Sequence, residues 1–495
     1  MDKKLVTRSD CDSAIKHCIN TEEFEVVTFK VKPFEDKERE YYKPDCVLEV
    51  SAKISRNISR FRFFLKKFRT ECAPLNELLS SIKASEREIQ FYQNFIPFLK
   101  GSLKNYETDF VAEYVFGEVG RIMILEDMSL RFYGLARKAN THTLDRFHVC
   151  LVLKAVAKLH AGSLIYEENH QAEDGNRLFD DSDLLAQEPL WRLNEEGLAK
   201  QTIGAGIKGL KMLMKEFMDF DISLIDADLR DLIEKTSKRL QYQTKFRNVL
   251  GHGDLHTKNV LFKYEKQSHT TTECVLLNFG FCRYFLPAYD VLFFIFTSTT
   301  RIFRQHYFTY LTKYYHECLH AELMRHELHI DKILPFQDFQ QSINYLTPAI
   351  KLKALLHLED WGAKPGFYKL LQKDQKAYGR YLFENKGPFL RELYRTDPIF
   401  RDLVVDAVQE LVETLKEPKV SRENCYEVLE GLLESTVYNL KDYFLKPEGE
   451  NLELHMEVGV EDVWCAEVVK KFKCSVQCGN DNYFKVLTQA SELKE

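Results

Sequence analysis

The chain has 495 residues, of which 45% are apolar and 29% are charged, and its formal net charge at pH 7 is −6. This composition excludes disordered and fibrous classes and indicates a globular protein of two or three structural units. The 75 acidic side chains outnumber the 69 basic ones. No basic excess is available to attract a nucleic-acid backbone, so we expect no nucleic-acid partner.

The N-terminal segment lacks the apolar stretch of a secretion signal, because charged and polar residues occur throughout the first positions. The longest apolar run, VLFFIF at 291–296, is too short for a membrane span. We therefore expect a cytoplasmic protein with no membrane partner. The 12 cysteines show no paired framework and are predicted to be reduced thiols. Zinc at Cys474 and Cys478 is a weaker alternative, since their spacing differs from that of zinc fingers.

The first part of the chain predicts a small antiparallel sheet. Residues 22–70 alternate apolar and polar side chains and are rich in β-branched and aromatic residues, which indicates three strands. A helix is expected at about 76–95, ended by Pro97. Two more strands follow at 110–116 and 121–128, joined by a turn that contains two glycines. These elements predict a five-stranded sheet lobe, with one inserted helix, in residues 1–128.

The pattern becomes helical after residue 128. Thr143 is a candidate N-cap of a helix whose apolar face, at the helical period, carries Leu144, Phe147, Leu151, Val152, Ala155, Val156 and Leu159. The chain is therefore predicted to be α+β, with a mainly helical lobe at 129–418. Residues 419–495 form an extension of unknown role that could bind a protein partner. Further amphipathic helices are predicted at about 206–220, 224–241, 303–324 and 401–416.

The stretch VLGHGDLHTKNVLF at 249–262 places Asp254 and Asn259 five residues apart between apolar segments. Phosphoryl transfer needs a carboxylate that accepts the proton of the attacking hydroxyl, and ligands that hold a metal against the phosphates. Asp254 is the candidate base, Asn259 is a candidate metal ligand through its amide oxygen, and His252 is expected to brace the loop. The alternative interpretation is a hydrogen-bonded turn, for which Gly, Asp and Asn are common residues.

A phosphotransfer site also needs a lysine that holds the phosphates and a helical glutamate that orients this lysine. The segment RFRFFLKKF offers Lys66 or Lys67, and EREIQFY offers Glu88. Adjacent strand residues point to opposite faces, so alternation alone does not decide which lysine faces inward. A solvated surface charge is the alternative for each of these residues alone, but it explains poorly why all of them occur in the required order.

These segments resemble those of the ecdysteroid-kinase-like proteins, also described as choline-kinase-like with a CHK domain. The resemblance covers about residues 22–418. It implies a protein-kinase-like fold with a small five-stranded N-lobe and a large helical C-lobe. It also implies ATP and magnesium as cofactors, and a small-molecule alcohol, steroid-like or choline-like, as the phosphate acceptor. The matching segments are FRFFLKKF, EIQFYQNFIPFL, MILEDM, VLKAVAKLHAGSL, VLGHGDLHTKNVLF and LPAYDVLFF, in the order and spacing of the family.

The resemblance also implies roles for individual residues. Glu126 and Asp127 would lie on the hinge between the lobes, where backbone groups meet adenine. Asp290 resembles the residue that anchors the catalytic loop from the start of a helix, although a plain helix N-cap is an equally good interpretation. The remaining positions correspond to the phosphate-holding lysine at Lys66, its partner at Glu88, the base at Asp254 and a magnesium ligand at Asn259.

Two features depart from the family pattern. Asn278, in LLNFGF, stands where the family motif starts with an aspartate. An amide oxygen can contact magnesium but brings no negative charge, so Asn278 would be a poor metal ligand. The loop EDKEREYYKPD at 35–45 lacks the glycines that bring backbone amides close to phosphates. An active kinase and a kinase-like binding protein without catalysis therefore both remain open, and an interaction protein built around 419–495 is a third hypothesis.

Two other patterns have competing interpretations. Gly204, Gly206 and Gly209 form a GxGxxG sequence, but the segment before them is polar and unlike the buried strand that a dinucleotide site requires. A flexible start of the helix at 206–220 explains these glycines better. The aromatic stretch at 293–315 could line a pocket for a flat apolar substrate, but at helical spacing such residues more often form core.

Overall fold

A computed structural model describes most of the chain up to residue 416, and these residues belong to one unit, Met1–Lys416. The loop at 35–45, the extension at 419–495 and the cysteine pair Cys474 and Cys478 lie outside the described residues. The described residues are 5–19, 21, 23–34, 46–103, 106–136, 143–174, 179, 182–217, 225–265, 271–363, 367 and 373–416.

The N-terminal part is built around a five-stranded antiparallel sheet with the strand order β1–β2–β3–β5–β4. Its inner face buries Val26, Val50 and Leu65 against Ile15 of an N-terminal helix, which was not predicted. The predicted α+β class, with this sheet followed by a mainly helical region, is confirmed. The elements are α1 (Arg8–Cys18), β1 (Phe24–Pro33), β2 (Cys46–Ile54), β3 (Asn57–Lys67), β4 (Tyr114–Glu118) and β5 (Ile122–Glu126).

The helix predicted at about 76–95 is divided in the structure. Helix α2 (Ala73–Ser81) and helix α3 (Ala84–Gln90) are separated at Lys83, whose backbone is left-handed with φ of 54°. A π-helical turn at Phe91–Phe95 then leads into α4 (Ile96–Ser102). Pro97 does not end a helix, because it lies in the first turn of α4, where proline is tolerated. Glu88 lies in α3, and its carboxylate contacts Lys66 of β3.

The rest of the described chain is mainly helical and contains two small sheets. Strand β7 (Val249–Gly251) pairs with β10 (Arg283–Phe285). Strand β8 (Val260–Tyr264) lies between β6 (Tyr133–Gly134) and β9 (Thr271–Leu276). The helices are α5 (Arg146–Asp174), α6 (Leu198–Phe217), α7 (Asp226–Arg239), α8 (Pro287–Ser298), α9 (Arg301–Met324), α10 (Ile330–Ile333), α11 (Phe336–Leu356), α12 (Leu358–Gly362), α13 (Gln375–Phe383), α14 (Gly387–Thr396) and α15 (Pro398–Lys416).

Helix α5 is a buried core helix that packs against β7, β9 and α9. Among the described residues, one stretch, Arg146–Asn169, is long and apolar enough to cross a membrane, but 78% of its apolar window is buried inside the protein. Two details of its prediction are wrong. Phe147 is exposed. Asp145, rather than Thr143, caps the first turn, since its Oδ1 accepts a hydrogen bond of 3.0 Å from the His148 N–H.

The GxGxxG sequence lies inside helix α6, so both the dinucleotide interpretation and the flexible helix start are wrong. One of the three glycines, Gly209, allows close packing of helices. A Cβ atom on Gly209 would lie 2.9 Å from Leu390 Cδ1, and one on Gly206 would lie 3.7 Å from Leu356 Cδ2. The α14 residue Leu390 therefore approaches α6 at a distance that only a small residue permits.

Most of the described cysteines are buried, and much of the aromatic stretch lies in the core. Within the described ranges, each cysteine is a free thiol, which agrees with the prediction of reduced cysteines. Phe293, Phe294 and Tyr315 of the aromatic stretch are fully buried in the large core, and Tyr310 is exposed. Core packing is therefore the better interpretation of this stretch. The free cysteines are Cys11, Cys18, Cys46, Cys72, Cys150, Cys274, Cys282 and Cys318.

Candidate active site

Lys66 and Glu88 form a buried ion pair between β3 and α3. Lys66 pairs with Met123 across the sheet, and its Nζ donates to Glu88 Oε1 at 2.6 Å and to Oε2 at 2.7 Å. The side chains of Lys66 and Glu88 are only 7% and 2% exposed. Lys67 is partly exposed, because consecutive strand residues face opposite sides. The structure therefore places Lys66, rather than Lys67, beside the helical glutamate.

The ammonium group of Lys66 also donates to Asn278. The distance from Lys66 Nζ to Asn278 Oδ1 is 2.8 Å, and Asn278 Nδ2 donates to Asn259 Oδ1 at 2.6 Å. Asn278 has a left-handed backbone, with φ of 67°, which asparagine adopts more readily than most other residues. The candidate phosphate-binding lysine and the two candidate metal ligands are therefore joined in one hydrogen-bonded chain.

Asp254 lies at the other end of this chain. Asn259 Nδ2 donates to the Asp254 carbonyl oxygen at 2.7 Å and lies 3.4 Å from Asp254 Oδ2. Desolvation by the surrounding protein raises the pKa of the Asp254 carboxyl, but a hydrogen bond with His256 and the electrostatic influence of His256 and Lys353 outweigh it and hold the pKa below its usual value. Asp254 is therefore an ionised carboxylate at neutral pH, and its side chain is 33% exposed.

Asp290 holds the loop at 252–259 from inside helix α8. Its Oδ2 accepts a hydrogen bond of 2.5 Å from the His252 N–H, and its Oδ1 accepts one of 2.9 Å from the Gly253 N–H. His160 Nε2 lies 3.1 Å from Asp290 Oδ2. The N-cap of α8 is Leu286, so the N-cap interpretation of Asp290 is wrong. The carboxylate satisfies backbone donors of the loop instead of those of its own helix.

The backbone at Gly253 comes very close to the turn at 277–281. Gly253 has φ of 79°, and a Cβ atom there would lie 1.9 Å from the Phe281 carbonyl oxygen, so only glycine fits. The buried ring of His252 crosses the same gap, with Nε2 2.7 Å from the Leu277 carbonyl oxygen. Burial lowers the pKa of His252, which keeps the ring neutral near pH 7. His252 therefore positions the loop against the turn.

Aromatic packing joins the same turn to the π-helical turn Phe91–Phe95 that follows α3. The ring of Phe279 stacks on Phe91 at a centroid distance of 3.8 Å and meets Tyr92 edge to face at 5.7 Å. On its other side it contacts the His252 ring at 4.7 Å. The rings of all four residues are buried. Phe279 therefore packs between the π-helical turn at Phe91–Phe95 and His252 of the 252–259 loop.

A cleft of about 290 Å³ is lined in part by Leu277, the residue before Asn278, and by Leu261, two residues after Asn259. Its apolar wall carries Phe64, Leu125, Leu261 and Leu277, and the predicted hinge residues Glu126 and Asp127 line one side. Several hinge groups already have partners within the protein: the Glu126 N–H donates to the Glu113 carbonyl at 2.9 Å, and the Asp127 carboxylate accepts from Arg62 Nε at 2.6 Å. The apolar walls are suited to a flat ring system.

Two residues that the sequence analysis missed, Tyr289 and Lys353, support the 252–259 loop. Lys353 of α11 donates to the Tyr289 hydroxyl, and this hydroxyl donates to the Gly253 carbonyl oxygen at 3.1 Å. Burial lowers the pKa of Lys353 to about 7, although the Asp254 charge opposes this shift. Tyr289 could have been found from its position next to Asp290. Lys353 gives no local signal, because α11 lies far along the chain from the loop.

The side chains present do not fit a magnesium ion. Asn278 Oδ1 already accepts from Lys66, and Asn259 Oδ1 already accepts from Asn278. Of the predicted ligands and base, only Asp254 carries the negative charge that a hard dication prefers. In the part of the chain that the structure describes, no group of three or more His, Cys, Asp or Glu side chains could hold a metal ion. The magnesium site implied by the resemblance is therefore not supported by these residues.

Comparison with solved structures found similar chains at low sequence identity. A Plasmodium vivax ethanolamine kinase is 14% identical, covers 80% of this chain and 89% of its own length, and has a TM-score of 0.35. The GDP complex of an aminoglycoside 2′-phosphotransferase is 11% identical, with 72% and 92% covered and a TM-score of 0.30. A macrolide 2′-phosphotransferase from Brachybacterium faecium is 12% identical, with 76% and 98% covered and a TM-score of 0.31.

Comparison with known sequences gives the family. A search of curated proteins found no match. The sequence model of the ecdysteroid kinase-like family matches residues 46–328, which is more than half of the 495 residues. The matched region includes the strand of Lys66, the helix of Glu88, the 252–259 loop, Asn278 and Asp290. The chain therefore belongs to the ecdysteroid kinase-like family.

Proposed function

We propose that this chain is a slow small-molecule phosphotransferase that uses ATP. The observation that carries the proposal is the hydrogen-bonded chain from Glu88 through Lys66, Asn278 and Asn259 to Asp254. It joins a cation that could bind phosphate to a carboxylate that could accept a proton, beside a cleft with apolar walls. Membership of a family named for ecdysteroid kinases supports the same function.

In this mechanism the adenine base of ATP occupies the cleft, and the positive charge of Lys66, whose three N–H groups donate to Glu88 and Asn278, attracts the phosphates. The acceptor hydroxyl lies beside Asp254 and gives its proton to the carboxylate as its oxygen attacks the terminal phosphorus. The bond from this phosphorus to the bridging oxygen breaks, and ADP leaves. The acceptor is a small-molecule alcohol of the steroid-like or choline-like class. Asn278 leaves the phosphate side without one negative ligand, which is our reason for expecting slow transfer.

The test combines ATP binding with transfer to a panel of sterol and amino alcohols, followed by mass spectrometry of the acceptors. For Asp254→Asn we expect transfer to fall by about 10²- to 10⁴-fold, because the proton acceptor is lost. ATP affinity should change by less than about threefold, since the base acts in the chemical step. The exposed Asp402→Asn is the matched control and should transfer normally. Unchanged transfer in Asp254→Asn, or no binding of ATP to the wild type, would contradict the proposal.

A binding protein without catalysis is the second candidate, and the amide at Asn278 favours it. If the missing charge limits transfer, Asn278→Asp should raise magnesium-dependent ATP turnover, because a carboxylate attracts a hard dication more strongly than an amide does. Turnover would be measured by release of ADP at saturating ATP and acceptor. Absence of any gain, together with normal ATP affinity, would favour the binding protein.

A further inference from the structure

The orientations of both amides in the chain are determined by the groups at its two ends. The Lys66 ammonium group can only donate hydrogen bonds, so it must face the oxygen of Asn278. The Asp254 carbonyl can only accept, so it must face the nitrogen of Asn259. The Asn278 nitrogen and the Asn259 oxygen then face each other, and they lie 2.6 Å apart. Neither amide can be turned without breaking a hydrogen bond.

A metal ion that bridged these two residues would need both amide oxygens to point toward it. Here one oxygen faces Lys66, and the other faces the Asn278 NH₂ group. We propose that Asn278 makes this cleft independent of divalent metal, with its amide nitrogen joining the two loops where a cation would otherwise do so. A nucleotide would accordingly bind through Lys66 and the cleft without a metal ion.

An aspartate at this position could not make the same connection. Its carboxylate would bring an acceptor to 2.6 Å from the Asn259 oxygen, which is also an acceptor. Asn259 could not turn its nitrogen toward the carboxylate without losing the hydrogen bond to the Asp254 carbonyl. Two facing oxygens repel each other unless a cation lies between them. The choice between asparagine and aspartate at position 278 therefore decides whether the site needs a metal.

The surrounding contacts make relaxation of this chain difficult. Phe279, the next residue after Asn278, is stacked on Phe91 and buried. Gly253 is held against the Phe281 carbonyl by the two hydrogen bonds to Asp290. The two loops therefore cannot move apart to separate facing oxygens without losing packed contacts. A cation is the remaining means of relieving the repulsion that Asn278→Asp would introduce.

The first experiment measures thermal unfolding with Mg²⁺ or Mn²⁺ alone, without nucleotide. The wild type should show no change in melting temperature at millimolar metal. Asn278→Asp should melt about 2–4 °C lower than the wild type without metal, and metal should restore this loss. Asn94→Asp adds the same charge on an exposed position and should not respond. Asn278→Ala removes the amide without adding charge, so it should be destabilised equally with and without metal.

The second experiment measures ATP affinity by calorimetry, in excess EDTA and in excess Mg²⁺. The wild-type dissociation constant should differ by less than about threefold between the two conditions, whereas Asn278→Asp should bind at least about tenfold more tightly with Mg²⁺. Wild-type stabilisation by metal alone, or a wild-type affinity that needs Mg²⁺, would overturn the inference. The same conclusion follows if Asn278→Asp gains no response to metal.

The metal-alone experiment separates this inference from the proposed function, since it requires no nucleotide. If ATP fails to bind the wild type under both conditions, the proposed phosphotransferase is wrong. The inference about Asn278 would then still be judged by the melting temperatures of the wild type and Asn278→Asp. If ATP binds only with Mg²⁺, the inference fails and the proposed function stands.

Discussion

The 252–259 loop and the 277–281 turn are held in place in different ways. The 252–259 loop is fixed by a carboxylate, Asp290, which accepts from two backbone N–H groups and lies near His160. The 277–281 turn is joined to its surroundings by an amide, Asn278, which accepts from Lys66 and donates to Asn259. A carboxylate satisfies several donors, whereas an amide connects a donor to an acceptor. The position of the 252–259 loop therefore depends on the charge of Asp290, and the position of the 277–281 turn depends on the orientation of the Asn278 amide.

The largest loss of stability should come from removing the carboxylate that holds the 252–259 loop. Asp290→Ala would leave two backbone N–H groups and the buried His160 without their acceptor. We expect the free energy of unfolding to fall by about 4 kcal/mol, because each buried donor that loses its acceptor costs about 1–3 kcal/mol. Urea denaturation would measure this. Asp402→Ala, at an exposed position of α15, is the control, with an expected change below about 0.5 kcal/mol. A loss as small as that of the control would show that Asp290 does not hold the loop.

A slightly smaller loss of stability is expected when Lys66, the cation that Asn278 of the 277–281 turn contacts, loses its partner. Glu88→Gln keeps the shape of the side chain but leaves the buried Lys66 ammonium group without a counter-charge. We expect a loss of about 3 kcal/mol in unfolding free energy, because an uncompensated buried charge is costly. Glu86→Gln on the same helix is the matched control. If the two variants were equally stable, the buried Lys66–Glu88 pair would contribute no more than the half-buried Glu86 carboxylate does.

The third effect appears as a dependence on pH. Burial depresses the pKa of Lys353 to about 7 from 10.5, so the unfolded chain binds more protons than the folded chain between these values. The unfolding free energy should therefore rise with pH across this window, by up to about 1.4 kcal/mol per pH unit. Lys353→Met should remove this contribution, which makes its stability relative to the wild type higher at pH 6 than at pH 9.

Denaturation at several pH values would measure this difference. The exposed Lys332→Met should keep the pH dependence of the wild type. Parallel curves for the wild type and Lys353→Met would mean that Lys353 titrates normally. Lys353 contacts the 252–259 loop through Tyr289. The result therefore also tests whether the pKa of the lysine that supports this loop is depressed by burial.

Local patterns in the sequence were sufficient for the fold class and for the choice of candidate residues. Strand alternation predicted the five-stranded sheet, because the face of a strand residue depends only on its neighbours. The five-residue spacing of Asp254 and Asn259 lies within one short loop, so it too could be judged locally. The division of the predicted helix at Lys83 was missed, because nothing in the surrounding residues resembles a usual helix stop.

The tertiary structure alone decided between alternatives that depend on distant partners. Lys66 was separated from Lys67 by the position of Glu88, and Lys353 entered the site from a helix far along the chain. The sequence by itself determined that position 278 is an amide, but it could not say which atom of that amide faces Asn259. That orientation depends on a donor from β3 and an acceptor from the 252–259 loop, which only the folded chain brings together.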